Sequence, residues 1–232
     1  AQDVECQTYH YATTEGQELM LDIYSLSSEC SEPRPCMIFA FGGGFVMGER
    51  NHEYYARYFD TLAKAGIVVA SIDYRLGLKN PPKSKGIKSV IGAMQNAVDI
   101  AVEDIYSATC FLLNNSQRLN IDPERIMLSG SSAGAIASLQ AEWNRCNGAE
   151  IARVLPNDFS YAAVVACAGA IFSTEGKPKF KQEPAPILLF HGTSDGNVPY
   201  NSSSLFGVGF YGSKYIAKQL EKMNAPYWFY AV

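Results

Sequence analysis

The sequence has no run of five basic residues, and its 19 Lys and Arg are outnumbered by 23 Asp and Glu, for a formal charge of −4. Recognition of a phosphate backbone needs clustered positive charge, so nucleic-acid binding is set aside. The longest apolar run, Ala162 to Phe172, contains Gly169 and falls far short of the ~20 residues a membrane-spanning helix needs. Histidine is scarce, with only His10, His52 and His191. Neither these nor the cysteines fall at metal-ligand spacing, so no metal or other cofactor is expected. No internal repeat, charge block or Gly/Ser linker interrupts the chain, which points to one domain over residues 1–232.

What remains is the profile of a soluble globular protein: 232 residues, 47% hydrophobic and 18% charged. A chain of this length buries roughly 70% of the surface its unfolded form exposes, enough for a core without metals or staples. Six cysteines are many for a cytosolic chain, and Cys30 and Cys36 flank a Ser-Glu-Pro-Arg-Pro loop short enough to close as a local disulfide. Cys110 and Cys167 sit in apolar stretches and read as small buried hydrophobes. The chain begins Ala1-Gln2-Asp3 without Met, as a product of signal-peptide removal does and as a trimmed chain also does. A secreted or periplasmic location is the expectation, with the cytoplasm as the alternative.

Leu19 to Tyr24 alternates apolar and polar residues and suits an edge strand that opens a sheet. Met37–Phe41, Ile67–Ile72, Arg125–Leu128, Ala162–Ala168, Ile187–Phe190 and Tyr227–Val232 are short apolar runs that read as strands buried on both faces. Between them, Tyr55, Phe59, Leu62 and Ala63 share one helical face that Gly66 terminates, and Ile91 to Leu112 steps by three and four. Further helices are expected from about Ala133 to Asn144 and about Ser213 to Met223. Strands alternating with helices specify a mostly parallel, doubly wound α/β sheet, with chemistry at the carboxyl ends of the strands. Gly77 to Lys88, with two prolines and four lysines, reads as a loop, either a mobile cover over a site or plain solvated chain.

Arg125 to Ser129 runs into Gly130-Ser131-Ser132-Ala133-Gly134 and then into an amphipathic helix. That is G-x-S-x-G in the strand, sharp turn, helix context that gives the motif a mechanism. Glycine two residues either side of Ser132 avoids collision with neighbouring backbone, and the turn lifts the hydroxyl above the sheet at a helix N-terminus. The competing reading is a Gly/Ser turn chosen only for close packing. Phe41-Gly42-Gly43-Gly44-Phe45 follows another buried strand, and three glycines let backbone N–H groups face a bound atom. No Gly-Lys-Ser/Thr follows, so this is not a phosphate-binding P-loop.

The order of these motifs, with Asp73-Tyr74-Arg75-Leu76 between them and His191-Gly192-Thr193-Ser194-Asp195 after a late strand, resembles the α/β-hydrolase family. The chain looks like the lipase/carboxylesterase branch related to hormone-sensitive lipase and small bacterial esterases, from about Gly16 onward. In that branch the oxyanion loop reads His-Gly-Gly-Gly; here Phe41 takes the His place. The resemblance implies Gly43, Gly44 and Ala133 as backbone oxyanion donors, Ser132 as nucleophile and Asp195 as the acid that orients a histidine. Asp195 before Gly196 also suits a plain turn cap.

The base is missing. In this family the histidine follows the acid, and no histidine follows Asp195. His10 reads as a surface residue of an edge strand, His52 opens a helix near the glycine loop, and His191 reads as support for the acid turn. The chain stops in a strong strand pattern, Tyr227 to Val232, without a closing helix. The expectation is therefore an incomplete sequence whose histidine loop and last helix lie beyond Val232, with a base-less pseudo-enzyme or hydrolase-like binding protein as the alternative. Residues 1–232 alone are expected to be nearly inactive. The substrate expected is a small-molecule ester, including an acylated carbohydrate, with Tyr54, Tyr55, Tyr58, Tyr74 and Phe45 near the site. The sequence leaves the oligomeric state open.

Overall fold

Eleven strands and four α-helices follow from the runs above in a computed structural model that describes residues 3–27, 31–83 and 86–232. The strands are β1 (Val4–Thr14), β2 (Gln17–Leu26), β3 (Arg34–Ala40), β4 (Val68–Ile72), β5 (Ile121–Ser131), β6 (Ala163–Cys167), β7 (Ala170–Ser173), β8 (Ile187–His191), β9 (Ser202–Leu205), β10 (Val208–Gly212) and β11 (Tyr227–Ala231). The helices are α1 (Ala56–Lys64), α2 (Ile87–Asn114), α3 (Ala133–Cys146) and α4 (Ser213–Met223). Eight strands form one sheet in the order β1-β2-β4-β3-β5-β6-β8-β11, and β7-β10-β9 form a small second sheet. β1, β2 and β4 pair antiparallel, and every pair from β4 through β3 to β11 is parallel. This is the doubly wound, mostly parallel arrangement expected from the strand–helix alternation.

The expected elements form with local corrections. Leu19–Tyr24 lies in a strand, but β1 pairs outside it, so the edge belongs to β1. The apolar run Ala162–Phe172 divides in two because Ala168, at φ 55°, breaks the extended backbone before Gly169 and sends β7 into the second sheet. α2 begins at Ile87, so Ile87 and Lys88 are helical rather than loop; Ser84 and Lys85 of that stretch lie outside the described residues. Gly66, at φ 86°, ends α1 as expected: its N–H reaches Ala63 O at 2.9 Å and the Ile67 N–H reaches Leu62 O at 3.0 Å, a Schellman pair. Cys30 also lies outside the described residues, and its expected partner Cys36 is a free, fully buried thiol.

The two faces of the large sheet differ. α2 and α3 pack together on one face, and the residues directed there, Leu128, Val164, Ala166, Ile187 and Leu189, are all 0% exposed. α1 covers only the β2–β4 side of the other face. On that face Met127, Ala163, Val165, Leu188 and Phe190 are half-buried and Cys167, Trp228 and Tyr230 are exposed. Burial on both faces therefore holds for β3 and β4 but not for β6, β8 or β11, whose outer residues have no helix over them among the described residues. Burial of the covered face carries the stability, at about 25 cal/mol per Å² of apolar surface removed from water.

Candidate active site

The carboxyl ends of β3, β5 and β8 converge on one edge of the sheet, and each delivers one of the sequence motifs. Ser132 stands between β5 and α3 at φ 51°, ψ −117°. A residue with a Cβ pays about 1–3 kcal/mol for such a conformation, which persists only where the surroundings enforce it. Here they do. Ser132 N–H donates to Cys167 O on the neighbouring strand at 2.8 Å, and Ser132 O accepts from Ile136 N at 2.9 Å to start α3.

The flanking glycines are required by close approach. A Cβ on Gly134 would lie 2.0 Å from Ala40 O, and one on Gly130 would lie 2.3 Å from the Gly134 carbonyl carbon. No side chain fits where α3 crosses the tips of β3 and β5. Ala133, in the first turn of α3, carries a backbone N–H with no intrahelical acceptor, at the positive end of the helix dipole.

The glycine loop packs directly on this turn: a Cβ on Gly42 would lie 3.3 Å from Ser132 Cβ and 3.0 Å from Ser131 O. Gly43, at φ 136°, has no room for a Cβ, which would meet Met47 O at 1.9 Å; Gly44, at φ 65°, faces open space. Gly43 O accepts the N–H groups of Val46 and Met47, which folds the loop back on itself. Tyr74 braces it from below. The Tyr74 ring stacks on Phe41 at 4.5 Å, and its hydroxyl, held protonated by burial, donates to Phe41 O at 2.7 Å. Phe41 in the His place is thus a buried stacking residue.

Further bracing comes from contacts that the sequence does not reveal. Arg50, just past the loop, donates from Nη1 to Asp73 Oδ2 at 2.8 Å and forms an ion pair with Asp22 at 3.0 Å. Arg75 forks onto Asp104 of α2, itself 1% exposed, and reaches Glu103 at 2.7 Å. The Tyr55 hydroxyl accepts the Gly42 N–H at 3.2 Å. Arg50 and Asp22 carry no motif, and the role of Tyr55 depends on a contact between a helix start and a loop that spacing does not reveal.

Asp195 sits on the turn after β8. Its Oδ1 accepts the N–H groups of Asn197 at 2.8 Å and Val198 at 3.0 Å, the turn-capping role of an Asp before Gly. Its Oδ2 lies 3.5 Å from His191 Nε2. β6 alone separates β5 from β8, so Ser132 and the acid turn stand two strand spacings apart, roughly 10 Å. An imidazole fits such a gap.

None of the three histidines hydrogen-bonds to Ser132 among the described residues. His10, exposed on β1, contacts Thr13. His52 caps the short helical turn before α1 by accepting Tyr54 N–H at 3.1 Å. His191 is buried, with Nδ1 at 2.8 Å from Ser213 Oγ and Nε2 at 3.1 Å from Val198 O. Since a carbonyl only accepts, Nε2 carries the proton and His191 ties the acid turn to the start of α4.

A cleft of about 520 Å³ opens beside the glycine loop, lined by Gly42, Gly43, Met47, His52, Tyr54 and Tyr55 among others. Tyr54 is 85% and Met47 67% exposed, so apolar surface is available at its rim. Of the aromatic residues expected near the site, Tyr54 and Tyr55 line this cleft. Tyr74 and Phe45 are core residues under the loop, and the Tyr58 hydroxyl turns to Ser129 at 3.3 Å. No group of three His, Cys, Asp or Glu side chains that could hold a metal occurs among the described residues, and no described helix is long and apolar enough to cross a membrane.

A mostly parallel eight-stranded sheet with an antiparallel start and helices packed on it is the α/β-hydrolase fold. The chain belongs to the BD-FAE family, whose model matches residues 21–171. It is similar to Lipase 2 of Moraxella sp. (strain TA144), 30% identical over 146 residues that cover 60% of this chain and 29% of that protein. It is also similar to fumonisin B1 esterase of Sphingopyxis macrogoltabida, 34% identical over 130 residues, or 54% of this chain and 23% of that protein. These matches thus span less than a third of either relative. In fold it matches the apo form of Thermogutta terrifontis esterase 2 with a TM-score of 0.71 at 21% identity, covering 98% of this chain and 82% of that one.

Proposed function

We propose that the chain is the catalytic part of a serine esterase that cleaves carboxylic esters through an acyl-enzyme, with Ser132 as nucleophile. The observation that carries this reading is the strained Ser132 turn packed against the glycine loop, a conformation that packing alone does not demand of a serine. Ser132 Oγ attacks the ester carbonyl carbon while an imidazole takes its proton. Negative charge gathers on the carbonyl oxygen, where the N–H groups of Gly43, Gly44 and Ala133 receive it. The alcohol leaves with the proton from the imidazole; water, deprotonated by the same base, then releases the acyl group as a carboxylic acid and frees the serine. Asp195 orients the imidazole and balances its positive charge.

The base must reach both Ser132 and Asp195, and residues 1–232 do not bring one there. A histidine on chain continuing from β11 meets the requirement, because Val232 abuts the acid turn: its N–H donates to His191 O at 3.0 Å and its O accepts Thr193 N–H at 2.8 Å. The substrate we infer is a small-molecule ester, with a short acyl group on a carbohydrate as the preferred case given the aromatic rim of the cleft.

A fluorophosphonate probe tests the reading, because it labels only an activated serine. Residues 1–232 should label slowly at Ser132, faster with added imidazole, and not at all in Ser132→Ala. Absence of labelling under both conditions favours a hydrolase-like binding protein, for which the lack of a histidine at Ser132 already speaks. Rapid ester turnover without imidazole assigns the base to His52 or His191 instead.

A further inference from the structure

His52, Tyr54 and Tyr55 all line the cleft beside the glycine loop, and their rings form a triangle. The ring centroids of His52 and Tyr54 lie 6.4 Å apart, those of His52 and Tyr55 6.4 Å, and those of Tyr54 and Tyr55 6.3 Å. The planes meet at 51°, 68° and 80°, so the rings stand as walls rather than as a stack. Two of the walls are fixed by other contacts. The Tyr55 ring packs on Phe39 at 4.7 Å, and its hydroxyl accepts the Gly42 N–H at 3.2 Å. His52 Nδ1 accepts the Tyr54 N–H at 3.1 Å, which leaves the ring proton on Nε2. Tyr54, largely exposed, is the third wall, and Glu49 lines the same cleft.

This shape selects among ligands. A flat ring stacks on one aromatic face or between two parallel ones, and three steeply inclined rings do not offer such a slot. A compact cation can use all three. A point about 3 Å above the plane of the centroids lies about 5 Å from each of them, inside the roughly 6 Å over which a ring face attracts a positive charge. The Glu49 carboxylate adds negative charge to the same cleft. Gly42, which also lines it, packs against Ser132, so a group held by the rings stands beside the nucleophile.

We propose that this cleft holds an ammonium group, and that the substrate is an ester that carries a protonated or quaternary amine. Within the carbohydrate case this means an amino sugar. The place of the ammonium in a substrate rests on the esterase reading above, whereas its charge rests on the three rings and Glu49 alone. Tyr54 and Glu49 are then specificity residues, which favour a cationic ester over a neutral one of the same shape.

The test is a proton NMR titration of residues 1–232 that follows the ring signals of His52, Tyr54 and Tyr55 at constant ionic strength. Choline chloride is compared with its neutral isostere 3,3-dimethylbutanol, and glucosamine hydrochloride with glucose. Saturable shifts are expected for at least one cation, with a Kd about tenfold below that of its neutral counterpart. Preference for choline identifies a quaternary ammonium, and preference for glucosamine an amino sugar. Tyr54→Leu and Glu49→Gln, both at exposed positions, should each weaken cation binding by about three- to tenfold and leave the neutral compound unaffected. Circular dichroism checks that each variant is folded; if Tyr54→Leu is not, Glu49→Gln decides. The bound cation should also slow imidazole-assisted fluorophosphonate labelling of Ser132. Saturable, charge-selective shifts in a protein that never labels would support the cation site and count against the esterase reading alone. Equal affinity for the neutral compounds, selectivity that survives in both variants, or labelling that saturating cation leaves unchanged overturns the proposal.

Discussion

The Tyr55 hydroxyl accepts the Gly42 N–H at 3.2 Å and so ties the turn before α1 to the glycine loop that packs on Ser132. Tyr55→Phe removes the acceptor while keeping the ring, which packs on Phe39 at 4.7 Å. Loss of one net hydrogen bond costs about 1 kcal/mol of stability. If the loop's N–H groups receive the oxyanion, their loosening should also slow imidazole-assisted labelling of Ser132 by about tenfold. A small stability loss with unchanged labelling would assign Tyr55 a purely structural role.

Gly134 and Gly44 are both in Gly-rich turns, yet they should respond oppositely to alanine. A Cβ at Gly134 enters the carbonyl oxygen of Ala40, whereas one at Gly44 meets no atom within 4 Å. Gly134→Ala must push α3 off β3 and should cost more than about 3 kcal/mol, at the upper end for single changes. Gly44→Ala should cost about 1–2 kcal/mol, for its φ of 65° alone. Urea unfolding of the two variants measures both.

How much of this was legible depends on where each cause lies. α4 was readable to the residue because its apolar stripe and its start at Ser213 are local, and the Gly66 stop of α1 likewise. β1 was read only as an edge strand around His10, without bounds, because most of its residues are exposed and leave no apolar rhythm. β9, with three serines and all residues exposed, shows none either. An apolar strand looks the same whether or not a helix covers it, so the runs that form β8 and β11 read by themselves as buried on both faces. At the site, Ser132, Gly43, Gly44 and Ala133 fall at one strand-end cluster because motif and turn are local. The Arg50–Asp73 and Tyr55–Gly42 contacts join segments through the fold and leave no mark in spacing.

Arg75 and Asp104 form the most buried ion pair described, with side chains 8% and 1% exposed. Asp104 also accepts the Arg75 backbone N–H at 2.7 Å. Asp104→Ala leaves the guanidinium largely buried with Glu103 and Glu15 as its remaining carboxylate partners among the described residues, and removal of one partner of such a pair costs roughly 3–5 kcal/mol. A urea midpoint unchanged within error would show that water replaces the carboxylate.

Burial pushes the Cys36 thiol up to about 12. At pH 8 it is therefore protonated and a poor nucleophile, and its reaction with iodoacetamide should stay slow until the pH approaches 12 or the chain unfolds. In denaturant without reductant it should alkylate readily as a free thiol. Protection that only reductant removes would indicate a disulfide with Cys30 in the purified protein.

Asp195 has two separable duties, and two substitutions divide them. Its Oδ1 caps the turn through Asn197 and Val198, a duty that an Asn oxygen can also perform. Its Oδ2 lies 3.5 Å from His191 Nε2, and in the proposed mechanism it supplies the charge that an imidazolium at Ser132 requires. Asp195→Asn should therefore melt within a few degrees of the parent. Asp195→Ala, which loses both hydrogen bonds, should lose about 1–3 kcal/mol. In a form of the protein that supplies the base, both should lose ester hydrolysis by about 10⁴-fold, because the base then lacks its orienting charge. Free imidazole takes no direction from Asp195, so imidazole-assisted labelling of residues 1–232 should fall much less in Asp195→Asn. Equal losses in the two assays would mean that Asp195 acts on the serine turn itself rather than through a histidine.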